Sequence, residues 1–228
     1  MRKTIFGNGE LYHIYNRGVE KRKIFLNTQD YFRAIHALYV FNDKNNHVHL
    51  TRSINVRGRT STILEVPRYA QKKRREKLVE IVAFCLMPNH YHFLLKQVQD
   101  GGVSKFMQKF GTGYTMYFNE RYDRSGVLFQ GKFKSIFIGK EKYFSNLLNY
   151  IHLNPLDLVE PSWKEEGIKS WLKVRKFLRD YRWSSYQDYI GIKNFPSVID
   201  QDALKKYSGY TAKWLQKDFE EIANMVLE

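Results

Sequence analysis

The stretch Met87-Pro88-Asn89-His90-Tyr91-His92-Phe93-Leu94-Leu95 follows an apolar run and contains a Pro-Asn turn between two β-prone segments. Two such segments around a short turn predict a β-hairpin. Side chains alternate between the faces of a strand, so His90 and His92 share one face while Tyr91 and Phe93 share the other. Two neighbouring imidazoles supply half of a metal site, although an H-x-H pattern by itself is more often a pair of ordinary strand histidines.

Composition indicates a basic, aromatic-rich globular protein. The chain has 228 residues, a net charge of +15, 16 Tyr and 16 Phe. This length can bury one sizeable core, and the charge favours a polyanionic partner, most simply nucleic acid. An anionic membrane surface is the rival partner, but the sequence shows no long amphipathic basic helix. No apolar run approaches the roughly 20 residues that span a bilayer. The first residues lack an apolar signal core and the single Cys85 allows no intrachain disulfide, so we expect a core thiol in a cytoplasmic protein.

Hydrophobic periodicity divides the chain into strands and helices. It predicts a strand at residues 11–16, a helix at 27–42, hairpin strands near 78–86 and 90–97, a helix at 103–122 and a strand at 129–138. This β-α-β-β-α-β order is typical of the ferredoxin-like (RRM-like) fold of the α+β class. We therefore expect an antiparallel sheet with helices on one face and the other face open for a ligand.

A third helix is predicted from about residue 140 to 152. Asn146, Tyr150 and Asn154 recur every four residues and so lie on one stripe of this helix. Pro155 disfavours helical geometry at the residue before it, so Asn154 lies at the helix end. We place the main domain at 1–158 and a helical C-terminal extension at 159–228, which wraps the core, binds nucleic acid or dimerises.

A basic insertion at about 46–78 interrupts the main domain. From residue 52 to 77 it has nine Lys or Arg against two Glu, a net charge of +7. Solvated surface is the usual explanation of such a run, and a flap that binds phosphates is the functional one. A second H-x-H, His47-Val48-His49, also falls here, but it lacks flanking apolar strands and is the weaker metal candidate.

The hairpin stretch is accompanied by other motifs in a consistent order. They are Tyr12-His13-Ile14-Tyr15-Asn16-Arg17-Gly18, Leu128-Phe129-Gln130-Gly131-Lys132-Phe133-Lys134, Asn149-Tyr150-Ile151-His152-Leu153-Asn154-Pro155 and Trp183-Ser184-Ser185-Tyr186. Over roughly residues 10–190 this combination resembles the single-tyrosine transposase superfamily, and more narrowly the REP-associated tyrosine transposases. The resemblance implies the ferredoxin-like HUH endonuclease fold, in which U is a bulky apolar residue. Tyr91 occupies that place here, a mild departure.

The resemblance also implies the roles of the site residues. His90 and His92 would bind a divalent metal, Mg²⁺ or Mn²⁺, with Asn154 as third ligand. Tyr150 would attack a DNA phosphate and form a 5′-phosphotyrosine link, leaving a free 3′-hydroxyl. The general base is not identified. His152 lies about 200° around the helix from Tyr150 and is left out of the site.

The implied substrate is single-stranded DNA beside hairpins, such as REP-like or insertion-sequence ends, in the cytoplasm and nucleoid of a prokaryote. Basic side chains suit its backbone and aromatic side chains suit its bases. The candidate DNA contacts are Arg17, Lys132, Lys134, Lys72, Lys73, Arg74 and Arg75. Monomer and homodimer both stay open, because superfamily relatives include dimers in which one chain supplies the tyrosine to the other.

Two other functions compete with transposition. One is a noncatalytic nucleic-acid-binding module on an RRM-like sheet, which would bind without metal and form no covalent adduct. The other is a replication-initiator or relaxase-type nicking enzyme with the same chemistry. That function would require partner activities such as a helicase, for which this chain has no P-loop motif.

Overall fold

The computed structural model describes residues 5–45 and 75–207, which are built around a four-stranded antiparallel sheet. Its strands are β1 (Leu11–Arg17), β2 (Val79–Met87), β3 (His90–Gln97) and β4 (Lys134–Ile138), in the order β2-β3-β1-β4. The helices are α1 (Thr28–Val40), α2 (Gly102–Arg121), α3 (Glu141–Leu153), α4 (Trp163–Glu166), α5 (Trp171–Asp180) and α6 (Tyr186–Tyr189), with 3-10 segments at Val19–Lys21 and Asn154–Leu158. The chain order β1-α1-β2-β3-α2-β4 confirms the predicted ferredoxin-like fold.

The first face of the sheet carries the main apolar core beneath α1 and α2. Tyr91 and Phe93 of β3 point to this face with their rings stacked 4.4 Å apart, and Phe110 of α2 packs edge-on against both. α1 begins close to its predicted start because Asn27 and Asp30 form a capping box, each side chain accepting from the other residue's backbone N–H. The two core helices thus lie on one face, as predicted.

The second face is only partly open, because α3 covers half of it. Leu148 and Ile151 of α3 are fully buried against Val82 and Cys85 of β2 and Leu94 of β3. Burial of large aliphatic side chains such as these stabilises the fold by about 1.5–3 kcal/mol each. Parts of this face at β1 and β4 stay accessible, at Tyr15, Lys134 and Ile136, and the candidate site lies beside them.

The described part of the C-terminal extension pairs with the outer edge of β2. The N–H of Leu86 donates to the carbonyl of Trp183 at 2.9 Å, and the N–H of Ser185 donates to the carbonyl of Phe84 at 3.0 Å. The Ser185 hydroxyl also hydrogen-bonds Nε2 of the fully buried His152 at 2.9 Å. The extension is therefore fastened to both the sheet and α3. The domain boundary at residue 158 stays a prediction.

The last strand is shorter than predicted. β4 begins at Lys134 rather than at Phe129, because Gly131 has a left-handed φ of +69° and turns the chain before it joins the sheet. Phe129 makes only an isolated bridge with Gly18. Cys85 is buried and free, as predicted. Of the helices in the described ranges, none has the length and apolar character needed to cross a bilayer.

Candidate active site

His90 and His92 lie on the second face of the sheet, as the alternation predicts. β3 is an inner strand, and its register places His92 between Tyr15 of β1 and Cys85 of β2. The two histidine rings are 5.1 Å apart, edge to face. Burial, reinforced by the neighbouring His13 and His90, holds the pKa of His92 well below its usual value, and burial also lowers the pKa of His90. Both rings are therefore neutral at pH 7, which is the form that binds a metal.

Asn154 approaches the histidines from the end of α3. The residue opens the 3-10 segment Asn154–Leu158, in which Pro155 occupies the first turn. The Asn154 side chain is 1% exposed, and its Oδ1 lies 3.2 Å from Nε2 of His90. The tighter geometry after α3 thus turns this amide toward the sheet. The structure brings the three predicted metal ligands together.

The hydrogen bonds of His90 fit a divalent cation at these atoms. Its Nδ1 lies 2.7 Å from Oδ1 of Asn89, an amide oxygen that only accepts, so the neutral ring carries its proton on Nδ1. The lone pair of His90 Nε2 then faces Oδ1 of Asn154. Two hydrogen-bond acceptors this close together repel each other unless a cation lies between them. Nitrogen and oxygen donors suit Mn²⁺ as well as Mg²⁺. In the part of the chain that the structure describes, no three His, Cys, Asp or Glu side chains form a metal cluster.

Tyr150 lies on α3 beside the same histidines. Its ring meets the ring of His92 edge to face at 5.4 Å and the ring of His13 at 6.4 Å. The ring is partly exposed. Asn154 follows one turn later, and its Nδ2 donates to the Tyr150 carbonyl at 3.4 Å. The helix stripe predicted from the four-residue spacing therefore faces the histidine face of the sheet.

A third histidine, His13 of β1, contacts His92 and was missed by the sequence analysis. Its Nε2 lies 2.8 Å from Nδ1 of His92, and the two rings are stacked 5.0 Å apart. Burial lowers the pKa of His13 to about 4, so this ring is also neutral at pH 7. If His92 binds metal through Nε2, its Nδ1–H donates to Nε2 of His13, which fixes the orientation of the His92 ring.

Lys164 of α4 is a further cation that the sequence analysis did not assign. Its Nζ lies 5.7 Å from the centre of the Tyr150 ring and 3.0 Å from Oδ2 of Asp157. The indole N–H of Trp163 donates to the other carboxylate oxygen of Asp157 at 2.7 Å. The extension thus holds a positive charge beside the candidate nucleophile. No local sequence pattern connects Lys164 with Tyr150, because the two residues lie in different helices of the chain.

The predicted DNA contacts are scattered over the molecule. Lys134 lies on the site face, with Nζ 5.9 Å from the Tyr15 ring. Arg17 is opposite His90 in the register and donates a hydrogen bond to the side chain of Gln130.

The remaining predicted contacts lie away from the site or outside the described residues. Lys132 lines a separate cleft beside α2. Arg75 contacts α1 on the opposite side of the sheet, with its guanidinium 3.7 Å from the centre of the Tyr39 ring. Lys72, Lys73 and Arg74 and the second H-x-H at His47-Val48-His49 fall outside the described residues.

Comparison with known proteins bears on the family. Residues 60–154 match the family model described as "Transposase IS200 like". The solved structure of a REP-associated tyrosine transposase bound to a REP hairpin is similar over 88% of this chain and 90% of that chain, with 15% identity and a TM-score of 0.49. No curated protein matches the chain. The family-model segment contains His90, His92, Tyr150 and Asn154, and its match confirms that the chain resembles the single-tyrosine, IS200-like transposases.

Proposed function

We propose that this protein is a metal-dependent transposase-type nuclease that cleaves and rejoins single-stranded DNA through a 5′-phosphotyrosine intermediate. The observation that carries the proposal is the meeting of Tyr150 with His90, His92 and Asn154, which come from α3, β3 and the 3-10 segment that follows α3. Structural histidines would not require a partly exposed tyrosine and an amide oxygen to converge on them. The cluster therefore has the composition of a phosphoryl-transfer site.

The chain's own residues would carry out the transfer. Tyr150 Oη gives up its proton and forms a bond to phosphorus, and the bond from phosphorus to the 3′-oxygen breaks. The 3′-oxygen takes up a proton to become a free 3′-hydroxyl, so the number of bound protons is unchanged. His90, His92 and Asn154 would hold a divalent cation, which supplies charge neutralisation for the phosphate when bound. The phosphotyrosine link keeps the bond energy, so a 3′-hydroxyl can later attack it and rejoin the strand without a nucleotide cofactor.

The geometry also supports single-stranded DNA and action within one chain. Tyr150 is partly buried beside the sheet, where a phosphate inside a stacked duplex would not reach it without unpairing. Its ring contacts His92 of the same chain at 5.4 Å, so a second copy is not needed to complete the site. Hairpins beside the cleaved strand follow from the family resemblance, and the similar solved structure is itself bound to a REP hairpin.

A denaturing gel tests this function directly. The full-length protein is mixed with single-stranded oligonucleotides that contain the hairpins flanking its own gene, with Mn²⁺, Mg²⁺ or EDTA. We expect a protein-sized band only with 3′-labelled DNA, because the protein is attached to the 5′ end of the downstream fragment, while a 5′ label leaves as free DNA.

The variants Tyr150→Phe and His90→Ala should reduce this adduct to background. Tyr39→Phe, which removes a hydroxyl on the far side of the sheet, is the matched control and should leave it unchanged. An adduct that survives in Tyr150→Phe contradicts the assigned nucleophile. Tight, metal-independent binding without any adduct would favour the noncatalytic binding module.

A further inference from the structure

A cleft of about 580 Å³ extends from Tyr150 along α3 toward the start of that helix, away from Asn154. The sheet contributes His13, Tyr15, His92 and Ile136 to its lining, and the segment at α3 contributes Lys140, Lys142, Tyr143, Asn146, Leu147 and Tyr150. Metal binding and tyrosine attack use only the end of this cleft. The remainder is large enough for a ligand group of its own.

One wall of the cleft is a row of aromatic rings on the sheet. The Tyr15 ring lies 4.9 Å from the His13 ring and 5.8 Å from the His92 ring, at interplanar angles of 29° and 24°. On the same wall, Ile136 of β4 is paired with His13 and is 39% exposed, and across the cleft Tyr143 of α3 is 45% exposed. Large exposed apolar and aromatic side chains facing one cavity are a stacking surface for a flat ligand.

The mouth of the cleft is basic. Lys140 and Lys142 are exposed at the start of α3, and Nζ of Lys134 lies 5.9 Å from the Tyr15 ring. None of the residues that line the cleft is acidic. An aromatic wall beside several ammonium groups fits a flat base attached to a phosphate, whereas a neutral apolar ligand would gain nothing from the lysines.

We infer that this cleft binds one unpaired nucleotide that adjoins the phosphate attacked by Tyr150. The base lies against Tyr15 and Tyr143, and the backbone phosphate lies near Lys140 and Lys142. This inference rests on the proposed function, because it takes the strand to pass Tyr150. It adds a base-binding subsite to that function, so that cleavage depends on a base next to the cut as well as on the metal and the nucleophile.

An abasic scan tests the subsite. Single-stranded oligonucleotides, each with one base removed, are bound to a Tyr150→Phe protein that leaves the DNA intact. Removing the base that occupies the cleft should weaken binding about 5- to 150-fold, the range given by one base stacked on aromatic side chains. Every other position should have a smaller effect. The scan covers the whole oligonucleotide and does not depend on knowing the cleavage position.

Variants then assign the effect to this cleft. In Tyr143→Ser or Tyr15→Leu, intact DNA should bind more weakly and removal of the same base should cause little further loss. Phe137→Ser is the matched control: Phe137 is 50% exposed on β4, but it contacts Tyr12 on the opposite face of the sheet. The control should keep the full abasic effect.

The outcomes separate the subsite from the proposed function. A covalent adduct with no position-specific abasic effect, or with an effect that both cleft variants retain, overturns the subsite and leaves the proposed function standing. The opposite result is also informative. If the cleft variants abolish a position-specific abasic effect but the wild-type protein forms no covalent adduct, the proposed function is overturned and the nucleotide-binding cleft stands.

Discussion

The two faces of the central sheet differ sharply although the same strands build both. On β3, Tyr91 and Phe93 point into an apolar core in which their rings pack against Phe110. The residues between and beside them, His90 and His92, point to the other face and meet polar or ionisable partners. A step of one residue along the strand therefore separates the side chains that pack the core from those that we propose bind the metal.

This difference shows how a small fold keeps a polar cluster in fixed positions. The first face supplies most of the burial, so the second face can hold three neutral histidines whose desolvation opposes folding. His92 lies on an inner strand, hydrogen-bonded on both sides, which leaves its ring little freedom. The positions of the site residues on β3 are thus set by a strand whose other face is packed in the core.

The largest expected effect comes from breaking the first face. Phe93 is fully buried, so Phe93→Ala should lower the free energy of unfolding by about 3–5 kcal/mol, through lost burial and the cavity left behind. Urea unfolding measures this loss. His90→Ala, at a partly buried position, should lower the free energy of unfolding by less than Phe93→Ala does, yet abolish the adduct. A Phe93→Ala protein that is as stable as wild type would contradict the division between the faces.

The second-largest effect is expected from acid, which should lower the free energy of unfolding through His152 of α3, the helix on the second face. The fully buried His152 has its pKa lowered to about 3 by desolvation. Its unfolded form, with an ordinary pKa of about 6.5, binds the extra proton, so stability is present above pH 6.5 and is lost as the pH falls toward the folded pKa. The loss is about 1.4 kcal/mol per pH unit, or roughly 2.5 kcal/mol at pH 4.5.

Urea unfolding at pH 7 and pH 4.5 checks the acid effect. His152→Gln keeps a group that can hydrogen-bond Ser185 but does not titrate, so its free energy of unfolding should fall less between the two pH values. The same fall in wild type and variant would show that His152 is not responsible.

A smaller effect is expected at His13. His13→Ala should weaken Mn²⁺ binding about 10- to 100-fold, because partners that orient a metal-binding histidine contribute about this much to affinity. Titration of free Mn²⁺ by electron paramagnetic resonance measures the affinity without any DNA. His13→Gln, which retains an acceptor, should recover part of it, and His36→Gln on α1 serves as control. Unchanged affinity in His13→Ala would remove His13 from the site.

The smallest effects distinguish the basic residues on the two faces. Lys134→Ala should weaken single-stranded DNA binding and lower the slope of log affinity against log salt by about 0.7, the value for one phosphate contact. Arg75→Ala should leave that slope unchanged and cost about 0.5–1 kcal/mol of stability through its lost contact with Tyr39. Salt titrations of both variants check this prediction. If Lys134→Ala and Arg75→Ala lower the slope equally, the side of the sheet on which a basic residue lies does not determine whether it contacts DNA.

Local sequence pattern was sufficient for the part of the site that lies within one element. Period-two alternation correctly separated His90 and His92 from Tyr91 and Phe93, and four-residue spacing placed Tyr150 and Asn154 on one stripe. The sequence could not connect His13 with His92, although His13 belongs to one of the motifs. That pairing depends on the register between β1 and β3, which alternation alone does not determine.

The coverage of the second face was not predictable either. It depends on contacts between distant parts of the chain, such as Ser185 with Phe84, 101 residues apart. Nothing in the local sequence around residue 185 indicates which strand edge it will meet. The position of Lys164 beside Tyr150 has the same origin, since it follows from how the extension folds back.

The pairing of residues 183–185 with the edge of β2 also has a consequence during protein synthesis. The hairpin that carries the histidines leaves the ribosome 101 residues before its edge partner Ser185. Because protein synthesis adds about 5–20 residues per second, the backbone groups of Phe84 and Leu86 that pair with residues 183–185 remain unpaired for roughly 5–20 seconds. During that interval the nascent chain presents an open strand edge to neighbouring chains on the same messenger RNA. Substitutions at residues 183–185 should therefore reduce the yield of soluble protein before they alter any step at the site.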